Sequence, residues 1–150
     1  RYSVFGEIVT HNFNKLPAHL VSTGDEVINK IVELEDISDI DTVIIDELFL
    51  IDGGADACVK LFKKGYNVII ASIDLSFTGE PFEEVKNIMP YCTKIEKCTA
   101  VCTVCQSDAR YTARKSQSSL SNTKDENQIQ VGGSELYEAR CQLHHNYMRD

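Results

Sequence analysis

Residues 41–47, DTVIIDE, form a short, nearly continuous apolar run that ends on two adjacent carboxylates, Asp46 and Glu47. Such a run predicts a parallel strand covered on both faces, because neither face of that strand meets water. The flanking segments extend the pattern. Upstream, TGDEVINKIVELE places Val27, Ile28, Ile31 and Val32 at helical spacing, with Thr23 and Asp25 as candidate caps. Downstream, DACVKLFKKG reads as a helix: Lys63 and Lys64 suit its negative end, and Gly65 stops it. NVIIASID (67–74) repeats the strand pattern, and SVFGEIVTH (3–11) is apolar enough to be a strand as well. Strand, helix, strand, helix, strand predicts a parallel α/β sheet with right-handed crossovers. Ligands of such sheets lie beyond the carboxyl ends of the strands, where Asp46, Glu47 and Asp74 fall.

The character of the chain changes near residue 93. PFEEVKNIMPYC (81–92) predicts a short helix broken by Pro90, and residues 94–114 carry cysteines among short β-like pieces. Residues 115–128, KSQSSLSNTKDENQ, are almost free of apolar side chains, which predicts a mobile or ligand-ordered loop. The closing segment, GGSELYEARCQLHHNYMRD, is expected to be helical from about Ser134. Two parts follow: an α/β core over 1–93 and a cysteine-bearing, β-rich lobe over 94–150.

Composition narrows the function. The 150 residues are 43% hydrophobic and 25% charged, as in a globular protein with a real core. Fifteen basic against twenty-three acidic residues give a net charge of -8, which opposes non-specific nucleic-acid binding. A zinc-ribbon binder of nucleic acid is disfavoured on the same ground, and a small-molecule substrate is favoured. No apolar stretch reaches the roughly 20 residues of a membrane span. Neither a signal peptide nor an initiator Met opens the sequence, so it is expected to begin inside a longer, cytoplasmic protein.

The six cysteines are Cys58, Cys92, Cys98, Cys102, Cys105 and Cys141. Cys102-x-x-Cys105 and Cys141-x-x-His144 are two ligand pairs, and zinc takes four sulfur or nitrogen ligands in a tetrahedron. This spacing favours an intracellular metal site over disulfides. Four protein ligands leave no open coordination position, so the ion is expected to be structural, adding folding energy to a lobe with little core. His145 competes with His144 for the fourth position, and Cys98 is a weaker substitute in the first pair. Buried free cysteines are the plain alternative.

Adjacent carboxylates at a strand end are often only solvated. They also fit phosphoryl transfer, which needs a cation across the β- and γ-phosphates and a carboxylate to orient and deprotonate the attacking hydroxyl. On that chemistry Asp46 holds magnesium, directly or through water, and Glu47 faces the acceptor.

Five pieces, in order, resemble the type II thymidine kinase family over nearly all of the chain. They are RY with THNFNKLPA, VIIDELFLI, GYNVIIASIDLSFTGEPF, KCTAVCTVCQSDARYTAR and VGGSELYEARCQLHH. The resemblance implies a P-loop-type parallel sheet with helices on both faces and a small zinc-binding lobe. It implies an ATP-dependent thymidine kinase, transferring the γ-phosphate to the 5′-hydroxyl of thymidine or deoxyuridine in nucleoside salvage. Glu47 matches the general base, and Asp46 the acid that holds magnesium with ATP. Phe77 matches the aromatic residue on the thymine ring, with Ile73 and Phe82 nearby; Phe82 reads equally well as core. Thr112 and the stretch Gln128, Ile129, Gln130, Val131 and Gly132 match the lasso loop that grips the base through backbone groups. Tyr137 matches a tyrosine on the nucleoside, against a plain packing role. Feedback inhibition by thymidine triphosphate and a homotetramer are further implications.

The sequence departs from the family's Asp-Glu-x-Gln-Phe-Phe in having Phe49 for the Gln and Leu50 for the first Phe. Loss of the Gln hydrogen bond is expected to alter affinity or substrate range. No Gly-x-x-x-x-Gly-Lys occurs in the sequence, and the phosphate loop is expected upstream of Arg1. The rival reading is a catalytically silent relative, a zinc-stabilised nucleoside binder or scaffold.

Overall fold

A computed structural model describes residues 6–9, 14–35, 39–115 and 132–148. It divides into two compact units, Arg1–Asp74 with Phe82–Thr93, and Leu75–Pro81 with Lys94–Asp150.

In the first unit, β1 (Glu7–Val9) and β2 (Lys15–Pro17) form an antiparallel hairpin, and α1 spans Gly24–Glu35. β3 (Thr42–Asp46) leads through a 3-10 turn, Leu48–Leu50, into α2 (Gly54–Lys63), which crosses over to β4 (Asn67–Ala71). α3 (Glu83–Ile88) runs into a second 3-10 turn at Met89–Tyr91, where Pro90 ends regular helix. β3 and β4 pair in parallel, from Thr42 opposite Asn67 to Asp46 opposite Ala71.

The apolar periodicities build this core. Val27 and Ile31 of α1, Val43 and Ile45 of β3, Ala57, Cys58 and Leu61 of α2, and Ile88 of α3 join one buried cluster. Thr23 caps α1, its hydroxyl accepting the Glu26 amide, while the Glu26 carboxylate reaches back to the Ser22 amide at 2.6 Å. α2 closes with the paired bonds of a Schellman motif, Tyr66 N–H to Leu61 O and Gly65 N–H to Phe62 O.

One expectation needs correction here. Among the described residues of 3–11, Glu7–Val9 form β1, which pairs with its sequence neighbour β2 and not with the parallel strands. A hairpin needs no crossover, and the Glu7–Lys15 ion pair at 3.0 Å links its two strands. Among the described residues the sheet of β3 has two strands, and Ile44 is 72% exposed opposite Ile69 at 49%. Among the described residues, helices cover the Val43–Ile45 face.

The start of α1 and the start of α2 meet backbone to backbone. Gly24 N–H donates to Asp52 O at 2.8 Å, and Asp52 N–H donates to Ser22 O at 3.0 Å. A Cβ on Gly24 would stand 2.2 Å from Gly53 O, so only glycine allows the approach.

In the second unit, β5 (Ala100–Val101) and β6 (Asp108–Ala109) form a small hairpin. β7 (Tyr111–Arg114) pairs antiparallel with β8 (Tyr137–Arg140), Tyr111 opposite Arg140 and Arg114 opposite Tyr137. The helix expected from Ser134 is thus a correction: residues 137–140 are strand, followed by a 3-10 turn at Gln142–His144. Pairing with β7 overrides the helix-forming character of Glu138 and Ala139. Most of the polar stretch 115–128 lies outside the described residues.

Gly24→Ala is expected to cost about 3 kcal/mol, the upper part of the usual range for overpacking, because the obstructing atom is a backbone carbonyl. Urea denaturation at unchanged m-value checks this; a loss within about 0.5 kcal/mol would show that the two helix starts can part freely.

Candidate active site and metal centre

The two carboxylates belong to the first unit. Asp46 ends β3 exposed to solvent, and its Oδ1 accepts the Glu47 amide at 3.0 Å. Glu47 is half-buried, with its backbone in the left-handed region at φ 55°, ψ 44°. That conformation is uncommon for a residue with a Cβ, and such residues concentrate at functional sites. The turn it begins is closed by Leu50 N–H to Glu47 O at 2.9 Å. Leu48 is fully buried beneath it, and the Ser72 hydroxyl accepts the Phe49 amide at 3.2 Å. Leu50 is 40% exposed and Ile73 37%. Phe82 packs its ring on Phe49, centroids 4.6 Å apart. The position at which the Gln of the motif is missing therefore carries an aromatic contact, which the sequence alone did not reveal.

The metal-ligand pattern converges in the second unit. One ligand atom each from Cys102, Cys105, Cys141 and His144 lies within 4.8 Å of the others. Cys105 Sγ and Cys141 Sγ are 3.7 Å apart, Cys102 Sγ and His144 Nδ1 3.8 Å, and Cys141 Sγ and His144 Nδ1 3.2 Å. Sulfurs bonded to one tetrahedral zinc at about 2.3 Å stand about 3.8 Å apart, whereas a disulfide needs about 2.05 Å. The spacing suits ligands that share an ion.

Backbone bonds preform this arrangement. Gln106 N–H donates to Cys102 O, Cys102 N–H to Ser107 O, and Thr103 N–H to Ala139 O on β8, at 2.8–3.1 Å. Burial pushes the Cys102 thiol up, but the amides of Cys141, Cys105 and Val104 and the Cys105 thiol outweigh it and bring it down to about 6. Cys141 moves up, through burial and its neighbouring thiols. A three-cysteine, one-histidine set of this kind can bind zinc. Cys98 is exposed and outside the cluster.

His145 has a different part. It is 1% exposed, its Nε2 donates to Thr112 O at 2.9 Å, and its Nδ1 accepts the Tyr147 amide at 3.3 Å. Those two bonds fix the Nε2–H tautomer and occupy both ring nitrogens, which leaves His144 to the cluster.

Near these ligands lies an aromatic group of the same unit. The Phe77 ring stands 6.3 Å from both Tyr137 and Tyr147, and the Arg114 guanidinium lies 5.8 Å from its centroid. Phe77, Ala113, Arg114, Lys115, His145, Asn146 and Tyr147 line a cavity of about 300 Å³. Burial pushes the Tyr137 hydroxyl up, against a smaller opposing effect of Arg114. Thr112 is half-buried on β7, and Gly132 is half-buried close to Leu136. Gln128, Ile129, Gln130 and Val131 lie outside the described residues. Arg114 and Tyr147 were not anticipated. Strand alternation was the available signal for Arg114, which shares a face with Thr112 two residues earlier.

A family model described as thymidine kinase matches residues 1–145. The chain belongs to the thymidine kinase family. Members are kinases, and the metal-capable cluster agrees with zinc as a structural ion in such an enzyme. Among the described residues of this thymidine kinase family chain, no helix is long and apolar enough to cross a membrane.

The cluster predicts about one zinc per chain by elemental analysis. His144→Ala is expected to lose most of it and lower the thermal midpoint, whereas His145→Ala retains it. The reverse pattern would assign the fourth ligand to His145.

Proposed function

We propose that this chain carries the catalytic core of an ATP-dependent thymidine kinase, transferring the γ-phosphate to the 5′-hydroxyl of thymidine or deoxyuridine in nucleoside salvage. Family membership supports the reaction class. The observation that carries the residue assignment is Glu47, held left-handed at the end of β3 with its amide bonded to Asp46. In this reading Glu47 takes the proton from the 5′-hydroxyl as general base. Asp46, an exposed carboxylate at a strand end, suits magnesium, which is commonly bound by one or two carboxylates together with substrate phosphates. The ion supplies charge neutralisation at the phosphates when bound.

Phe77 stacks on the base, with Tyr137 beside it. Thr112 and the stretch Gln128 to Gly132 belong to the lasso that grips the base through backbone groups, and Ile73 and Phe82 are further nucleoside-pocket residues. The Phe77–Tyr137 ring contact supports the placement of the aromatic pair. Zinc at Cys102, Cys105, Cys141 and His144 is structural, since four protein ligands fill its tetrahedron. The reading includes a core over 1–93 and a zinc lobe over 94–150, in a cytoplasmic homotetramer inhibited by thymidine triphosphate. It also includes a wider parallel sheet with helices on both faces, for which the exposed Ile44–Ile69 pair is the support.

Phe49 in place of the family's Gln is the observation that favours a second reading, a nucleoside binder without turnover. One assay separates the two. The full-length protein phosphorylates thymidine with magnesium-ATP, and Glu47→Gln lowers kcat about 10²–10⁴-fold, the usual contribution of a general base. Near-parental turnover in that variant would remove Glu47 from the role. Thymidine binding without turnover in the parent would favour the binder.

A further inference from the structure

The first turn of α3 grips the turn after Glu47 at two points. Both carboxylate oxygens of Glu84 accept backbone N–H groups at the start of α2, from Gly53 at 3.0 Å and Ala55 at 2.7 Å. Phe82, the residue just before α3, supplies the ring that packs on Phe49. An N-terminal cap normally comes from the side chain at the cap position itself. The cap position of α2 is Gly53, which has no side chain, so the acceptor arrives from 31 residues further along the chain.

A carboxylate there is well matched electrostatically. It lies at the positive end of a ten-residue helix and accepts charge-assisted hydrogen bonds. Burial, with the Glu84 charge second, pushes the Cys58 thiol in α2 up to about 11. At the near end of the turn the Asp46 carboxylate takes the Glu47 amide, and further described anchors between the two ends are neutral. They are the Ser72 hydroxyl on the Phe49 amide and the backbone pairing of Asp52 with Ser22 and Gly24. Glu84 is therefore the charged tie that holds the far end of the segment beginning at Glu47.

We propose that Glu84 is a positioning residue for the phosphoryl-transfer reaction: by clamping the Gly53 and Ala55 amides it holds the 47–53 turn, and so the Glu47 carboxylate, in its working geometry. The proposal rests on the reading of Glu47 as the base. It assigns Glu84 no contact with substrate.

Two measurements on the full-length protein test it, and one of them needs no activity. In Glu84→Gln, hydrogen exchange at the Leu50 amide, which reports its bond to the Glu47 carbonyl, is expected to be at least about tenfold faster than in the parent. Unchanged exchange overturns the proposal, whatever the enzyme does. In steady-state kinetics Glu84→Gln is expected to lower kcat at least about tenfold, since a misplaced group costs rate more than binding. KM for the nucleoside should stay within about threefold. In a Glu47→Gln background the second substitution should cost nothing more in kcat, because both act through one group. A fully additive loss, or one confined to KM, overturns the positioning role. If Glu47→Gln alone leaves turnover intact, the base reading fails and the exchange result decides the clamp. Glu84→Asp keeps the charge on a shorter stem and is expected to restore part of kcat; it carries both readouts if Glu84→Gln does not fold.

Discussion

A glutamate in the left-handed backbone region costs roughly 1–2 kcal/mol relative to an ordinary conformation, so something must hold Glu47 there. The described contacts supply the restraint. Leu48 is buried directly after it, the Phe49 amide is taken by Ser72, and Asp52 is paired with Ser22 and Gly24. Gly53 and Ala55 are taken by Glu84. The close approach of Gly24 to Gly53 then ties the start of α1 to the same segment. The strand end, both helix starts and the first turn of α3 thus converge on one short stretch of chain. Stabilisation elsewhere in the unit offsets the local strain, a pattern common where a side chain must be aimed.

The second unit solves a different problem. Its described strands are two to four residues long, and the few side chains buried among its described residues include Cys102, Ala109, Ala113 and His145. These described residues bury little apolar area to set against chain entropy. An ion at Cys102, Cys105, Cys141 and His144 would tie the β5–β6 hairpin to the end of β8, doing the work of a core. His145 complements this by joining the next residue of the chain to the Thr112 carbonyl on β7. Two adjacent histidines thereby serve one fold in different ways, one as a candidate ligand and the other through backbone hydrogen bonds.

Much of this was legible in the residues. The apolar runs at 41–47 and 67–74 and the helical spacing of Val27 and Ile31 correspond to β3, β4 and α1. The two ligand pairs could be read because metal chemistry imposes short, fixed spacings. What could not be read depended on partners distant in sequence. Tyr137–Arg140 is a strand because Tyr111–Arg114 lies beside it, and nothing within residues 137–140 announces that neighbour. Residues 7–9 look the same whether they join a parallel sheet or a hairpin, since three residues carry too little pattern to decide. The pairing of Phe49 with Phe82 and the reach of Glu84 to α2 span about thirty residues each, beyond any local periodicity. Choosing between His144 and His145 likewise needed the ring nitrogens' partners.

The central claim is that Glu47 is aimed at a nucleoside hydroxyl, and a crystal structure of the full-length protein with thymidine and a non-hydrolysable ATP analogue tests it most directly. The account predicts a Glu47 carboxylate oxygen about 2.6–3.2 Å from the 5′-hydroxyl, with the backbone still left-handed. A 5′-hydroxyl bonded to another side chain, with Glu47 turned to solvent, would contradict it.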